Sequence, residues 1–160
     1  MNLTSIKDDS EAAWLHYRDS IEVVRHLSSD SVVDMGSGAG FPGIPLAIVL
    51  PTTSITLVEP RRKRVSFLRV ATSRLGLTNV SIKMGRSDEP PVDSFGALVT
   101  RATFSDDLEL HECLRWIKPG GSLIAFRSDN SEKLSGSTRS VNYELGDCRR
   151  RFDIIDLIDN

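Results

Sequence analysis

Cysteine is scarce: the 160 residues hold two, Cys113 and Cys148, with no Cys-x-x-Cys spacing. The chain therefore has no disulfide framework to offer, and a reducing cytoplasm fits its cysteine usage. Long apolar runs are missing as well. No stretch approaches the roughly 18–20 apolar residues a membrane span needs. Met1-Asn2-Leu3-Thr4 shows no basic segment followed by an apolar one, so no signal peptide is read. Surplus charge is small, at −2, which argues against coating nucleic acid by bulk charge but leaves local basic patches open. No spacing of His, Cys and Asp suggests a metal site.

What is present fits an ordinary globular chain, with 39% hydrophobic and 26% charged residues. The length predicts one domain over 1–160, with residues 1–30 as a helical lead-in and 31–160 as the core. Asp8-Asp9-Ser10 supplies helix caps, and Trp14, Tyr17, Ile21, Val24 and Leu27 follow at helical spacing over 10–27. Strands are expected at 31–35, 54–59, 80–84, 95–100 and 122–126. Helices are expected at 43–50, with Pro45 in the first turn, at 62–75, closed by Gly76, and at 106–117, capped by Ser105. Pro90-Pro91 falls in a loop and Lys118-Pro119-Gly120-Gly121 in a tight turn. Beyond residue 126 the polar segment 127–140 suggests one short helix near Ser131. Two strands, 141–145 and 152–158, then flank Arg149-Arg150-Arg151. Strands alternating with helices predict an α/β fold, a mostly parallel seven-stranded sheet with helices on both faces and an antiparallel last strand.

Ligands of such sheets bind beyond the carboxyl ends of the strands, where the turn Gly36-Ser37-Gly38-Ala39-Gly40-Phe41-Pro42 falls. Its glycines let a ligand approach bare backbone, and the following helix offers N–H groups to an anion; a tight turn without a ligand is the plainer reading. Gly38 to Gly43 formally matches a dinucleotide fingerprint. Against that, Pro42 and Pro45 crowd the helix start. Asp34 just ahead of the glycines also disfavours a diphosphate and suits the ammonium of a methionine moiety. Glu59, at the end of the second strand, can accept bonds from two ribose hydroxyls. Arg86-Ser87-Asp88 can meet an adenine edge or form a plain polar turn. Arg101 faces the same crevice as a contact for the donor or for a substrate phosphate, or lies on the surface. Arg61-Arg62-Lys63-Arg64, continued by Arg69 and Arg74, reads as a phosphate-contacting face or as a solvated one, and Arg149-Arg150-Arg151 is equally open. His16 reads as structural.

The run from Val33 through Asp34-Met35-Gly36-Ser37-Gly38-Ala39-Gly40-Phe41-Pro42-Gly43-Ile44-Pro45 to Ile48 resembles the signature of the GidB family, the ribosomal RNA small subunit methyltransferase G proteins. Asn2-Leu3-Thr4, His16 to Ile21, Lys63 to Leu68, Gly85 to Glu89, Thr100-Arg101-Ala102 and Lys118 to Gly121 are similar to further family motifs in the same order. The resemblance implies a class I, Rossmann-like methyltransferase that uses S-adenosyl-L-methionine on guanine N7 of small-subunit ribosomal RNA, free or in the small ribosomal subunit. It implies that Gly36, Phe41, Ser87, Asp88 and Arg101 bind the donor; Gly38, Gly40 and Glu59 join them on the reading above. Arg61, Arg62, Arg64 and Arg127 are the RNA-binding candidates. Three departures stand out. The family usually has a helical segment ahead of Asn-Leu-Thr. It usually has lysine-glycine where Arg127-Ser128 stands here, and many members show aspartate and serine in place of Glu59-Pro60. No asparagine- or aspartate-Pro-Pro-aromatic motif and no strand-end cysteine nucleophile is present, as expected for N7, whose lone pair attacks without losing a proton. A donor-binding relative with another substrate, or one without RNA methylation, is the alternative.

Overall fold

The computed structural model describes residues 9–89, 94–101, 103, 104 and 106–159, with side chains from residue 13 onward. Asn2-Leu3-Thr4, Asp8, Pro90-Pro91, Ala102 and the Ser105 cap fall outside them. The elements are α1 (Asp9–Ile21), β1 (Ser31–Met35), α2 (Gly43–Val49), β2 (Ser54–Glu59), α3 (Arg62–Arg74), β3 (Val80–Met84), β4 (Phe95–Arg101), α4 (Asp107–Glu112), β5 (Ile117–Ser128), β6 (Arg139–Leu145) and β7 (Cys148–Asp156).

The seven strands form one sheet in the order β3-β2-β1-β4-β5-β7-β6. The pairs from β3 across to β5 are parallel, and β7 runs antiparallel to both β5 and β6. Apolar runs build its central strands, where side chains alternate between two buried faces, while the edge strands β3 and β6 are half-exposed. Val32, Val99, Ile124 and Ile154 point to one side, packed with Leu46 of α2 and Leu68 of α3. Their neighbours Val33, Leu98, Leu123 and Ile155 point to the other, packed with Leu110 of α4 and Trp116. Both faces are thus covered. No described helix is long and apolar enough to cross a membrane.

Several boundaries move. The first helix tightens into a 3-10 turn at Glu22–His26, and the fourth does so at Cys113–Trp116, a common way for helices to end. Asp106 caps α4, its carboxylate accepting from Glu109 N at 2.9 Å. Strand β5 begins at Ile117 and takes in the Lys118–Gly121 turn; the register shift between Phe95 and Ala97 accommodates it. No helix forms near Ser131. Arg151 donates to the carbonyls of Ser131 and Glu132, and Arg127 donates to Glu132 as well, so carbonyls that a helix would need are already taken. Arg149-Arg150-Arg151 lies within β7 rather than between strands.

Candidate functional site

The chain leaves β1 for β2 and β3 on one side, then returns to β4 on the other. The carboxyl ends of β1 and β4 therefore form the switch point where open α/β sheets hold ligands. Gly36 starts the turn there with φ 75°, and its N–H and that of Ser37 donate to the Val58 carbonyl at 2.9 and 3.0 Å, fixing the turn against β2. Gly38 follows at φ 57°. A side chain at Gly38 would meet nothing closer than Arg64 at 3.7 Å, so its bare backbone faces open space.

Glu59 stands beside it, 2% exposed. One carboxylate oxygen accepts from Gly38 N and the other from Arg61 N, both at 2.9 Å, with the Arg64 guanidinium 3.7 Å away. A carboxylate has about four acceptor positions, so roughly two stay available to hydroxyl donors. Across the crevice Phe41 is half-buried under Arg101, whose guanidinium carbon lies 5.1 Å from the ring centroid, and His16 packs against the same ring at 5.7 Å. Burial first, then the charge of Arg101, pushes the His16 pKa down, so the ring is neutral at pH 7. Ser87 and Asp88 follow β3, anchored through their carbonyls by Trp116 Nε1 at 2.9 Å and by Arg115 at 3.0 Å.

Asp34 does not face the crevice. It is fully buried and accepts from Gly43 N at 3.0 Å, so it holds the start of α2 from inside rather than meeting an ammonium. Burial raises its pKa to about 7, offset in part by the Gly43 N–H. A folded-state pKa above the unfolded value means stability that is complete at acid pH and lost as pH rises through about 7. Asp34→Asn is expected to flatten the fall in Tm between pH 4 and pH 8, a contribution of up to about 4 kcal/mol; a parallel decline in both proteins sinks this reading.

The RNA-binding candidates divide. Arg61 and Arg62 are exposed at the start of α3, while Arg64 leans toward Glu59. Arg127 is largely covered and bonded to Asp107 at 3.3 Å and the Glu132 carbonyl at 3.0 Å. Cys113 is buried and its thiol is pushed up to about 12, first by desolvation, so it stays protonated. Among the described residues no group of three His, Cys, Asp or Glu side chains is placed to hold a metal ion.

Three residues to which sequence reasoning assigned no definite role, Asp19, Tyr143 and Arg150, join the site. Asp19 of α1, 1% exposed, takes Arg101 at 3.1 Å, Arg150 at 3.4 Å and the Tyr143 hydroxyl at 2.6 Å. More than a hundred residues separate Asp19 from Tyr143 and Arg150. The helical spacing of Asp19 gave no hint of partners that distant.

The model of the GidB family, described as rRNA small subunit methyltransferase G, matches residues 1–144. The chain belongs to this family. Among its GidB relatives, the ribosomal RNA small subunit methyltransferase G of Acetivibrio thermocellus is 35% identical over 88% of this chain and 61% of its own length. That of Serratia proteamaculans is 42% identical over 72% of this chain and 54% of its own. The chain spans about three-fifths of the length of the first of these GidB proteins. A SAM-dependent methyltransferase from Aquifex aeolicus has the same fold, with a TM-score of 0.67 at 20% identity, covering 92% of this chain and 98% of that one. So does an O-methyltransferase from Thermotoga maritima, with a TM-score of 0.70 at 16% identity, covering 89% and 66%. The α/β architecture expected from the alternating pattern is therefore that of the methyltransferases, with β7 antiparallel as anticipated.

Proposed function

We propose that this chain carries the donor site and the catalytic surface of an S-adenosylmethionine-dependent methyltransferase that acts on guanine N7 of small-subunit ribosomal RNA. The observation that carries it is the bare Gly38 backbone beside the buried Glu59 carboxylate at the switch point. Gly36, Gly38, Gly40 and Phe41 line one wall, Glu59 accepts the ribose hydroxyls, and Ser87 and Asp88 meet the adenine. Arg101 orients the donor or offsets charge near the base.

The loop favours this ligand over a dinucleotide. Gly36 and Ser37 donate to Val58, Gly38 to Glu59, Gly40 and Phe41 to Ser37, Gly43 to Asp34 and Ile44 to Gly40, so few N–H groups remain for a pyrophosphate.

S-adenosylmethionine, when bound, supplies an electrophilic methyl group. The chain's own residues have positioning to do, because N7 carries a free lone pair and gives up no proton on attack; orientation is the main catalytic lever. Cys113 is buried and stays protonated, so it supplies no thiolate nucleophile. Cys148, against the expectation that neither cysteine sits at a strand end, stands exposed at the start of β7.

The test is transfer of labelled methyl from S-adenosylmethionine to small ribosomal subunits, and to their protein-free RNA, from cells lacking the modification. Label in a single N7-methylguanine is expected. Donor binding with no transfer to either form overturns the RNA reading and leaves a donor-binding domain. Transfer to lysate protein instead reassigns the substrate.

A further inference from the structure

The carboxyl edge of the sheet has two halves. Apart from Arg101 at the end of β4, the donor residues stand over β1, β2 and β3, which leaves most of the edge over β4, β5, β7 and β6 to the acceptor. In that second half, Arg150 of β7 lies opposite Ser128 of β5 and Tyr143 of β6. Ser128 is two residues past Phe126, which pairs with Arg101 at the end of β4, so Arg101 and Arg150 stand at the same rim.

Asp19 ties these two guanidiniums together, one buried carboxylate against two cations. Among the described residues neither arginine has a second carboxylate within salt-bridge distance, so a positive charge is left over. His16 lies beside all three groups: after burial, Arg101 pushes its pKa down, Asp19 pushes it up and Arg150 pushes it down. The neighbours of Arg150 differ. Strand alternation turns Arg149 and Arg151 to the opposite face. There Arg151 is spent on buried Asp153 at 2.9 Å, and Arg149 lies in register with Glu144. The Arg150 side chain is one-third exposed and held by Asp19 at 3.4 Å. A guanidinium has five N–H donors in a planar fork that matches a phosphate, and among the described residues Arg150 spends one of them, on Asp19.

We propose that Arg150, fixed beside Arg101 by Asp19, contacts a backbone phosphate of the RNA strand that carries the acceptor base. The proposal rests on the RNA reading above. A phosphate contact releases counterions and so leaves a measurable trace in salt dependence.

The experiment titrates a labelled RNA stem–loop with the full chain across a range of salt concentrations, and measures S-adenosylhomocysteine binding on the same preparations. Arg150→Gln is expected to weaken RNA binding roughly tenfold. The slope of log affinity against log salt is expected to fall by about 0.7–0.9, the share of one phosphate. S-adenosylhomocysteine affinity and a cooperative melt should be retained, which separates this effect from misfolding. Arg150→Lys is expected to keep the slope and lose part of the affinity, since the charge stays and the fork goes. Arg149→Gln removes the same charge from the other face and is expected to change the slope little. An unchanged slope for Arg150→Gln, or equal losses for Arg149→Gln and Arg150→Gln, overturns the contact while leaving the RNA reading intact. No RNA binding by the unaltered chain overturns both.

Discussion

Replacing Glu59 with alanine is expected to weaken S-adenosylmethionine binding by roughly 30-fold or more, measured by calorimetry. Each charge-assisted bond from a ribose hydroxyl contributes about 1.5–3 kcal/mol, and each 1.4 kcal/mol is a factor of about ten. The carboxylate does more than face the ligand. It accepts from Gly38 N and Arg61 N, so its loss also leaves two backbone donors without their acceptor and loosens the turn that the donor leans on. Glu59→Gln should fall between, since an amide has a single acceptor oxygen where the carboxylate has two. Comparing melting curves without ligand separates the effects: a lower Tm for Glu59→Ala reports the turn, and the calorimetric loss beyond it reports the ribose. Unchanged affinity in Glu59→Ala defeats the ribose assignment.

The second large effect concerns stability. Asp19→Ala is expected to destabilise the fold by about 3–5 kcal/mol, because breaking a buried ion pair leaves uncompensated charge behind. In a chain of this length that is a fall in Tm on the order of 10 °C. Arg101 loses its partner, Arg150 loses its own, and the Tyr143 hydroxyl loses its acceptor. The surface pair Arg139–Asp156 makes the comparison, with both side chains 42% exposed. Asp156→Ala there should cost under about 1 kcal/mol despite a bond of similar length, because water and salt screen it. A thermal melt of the two variants side by side decides it. Equal shifts would mean that α1 is not seated by Asp19.

The parts of the molecule legible in the sequence are those where local chemistry and tertiary packing agree. β1 and β2 fall within the ranges that their apolar residues predict, since a strand buried on both faces needs little but such a run. β3, a half-exposed edge strand, was legible from the alternation of Val80, Ile82 and Met84 with polar residues. The Gly36–Gly43 turn and Glu59 were legible because positive φ and strand-end position restrict the residue types allowed. Three features were hidden. The inward turn of Asp34 depends on the N–H of Gly43, nine residues on, rather than on proximity to the crevice. The arginine triplet reads as a uniform basic cluster until strand register separates Arg150 from its two neighbours. Asp19 gathers partners from β4, β6 and β7, and no periodicity within one helix encodes them.

The two tryptophans of this chain occupy opposite environments, which gives it a built-in optical probe. Trp14 is 58% exposed on α1, stacked on Tyr17. Trp116 is buried at 1% exposure, its indole N–H on the Ser87 carbonyl and the Lys83 ammonium 4.7 Å from its ring centroid. Indole emission responds to hydrogen bonding and to nearby charge. In a Trp14→Phe background, the fluorescence of Trp116 therefore follows the loop assigned to adenine without any added label.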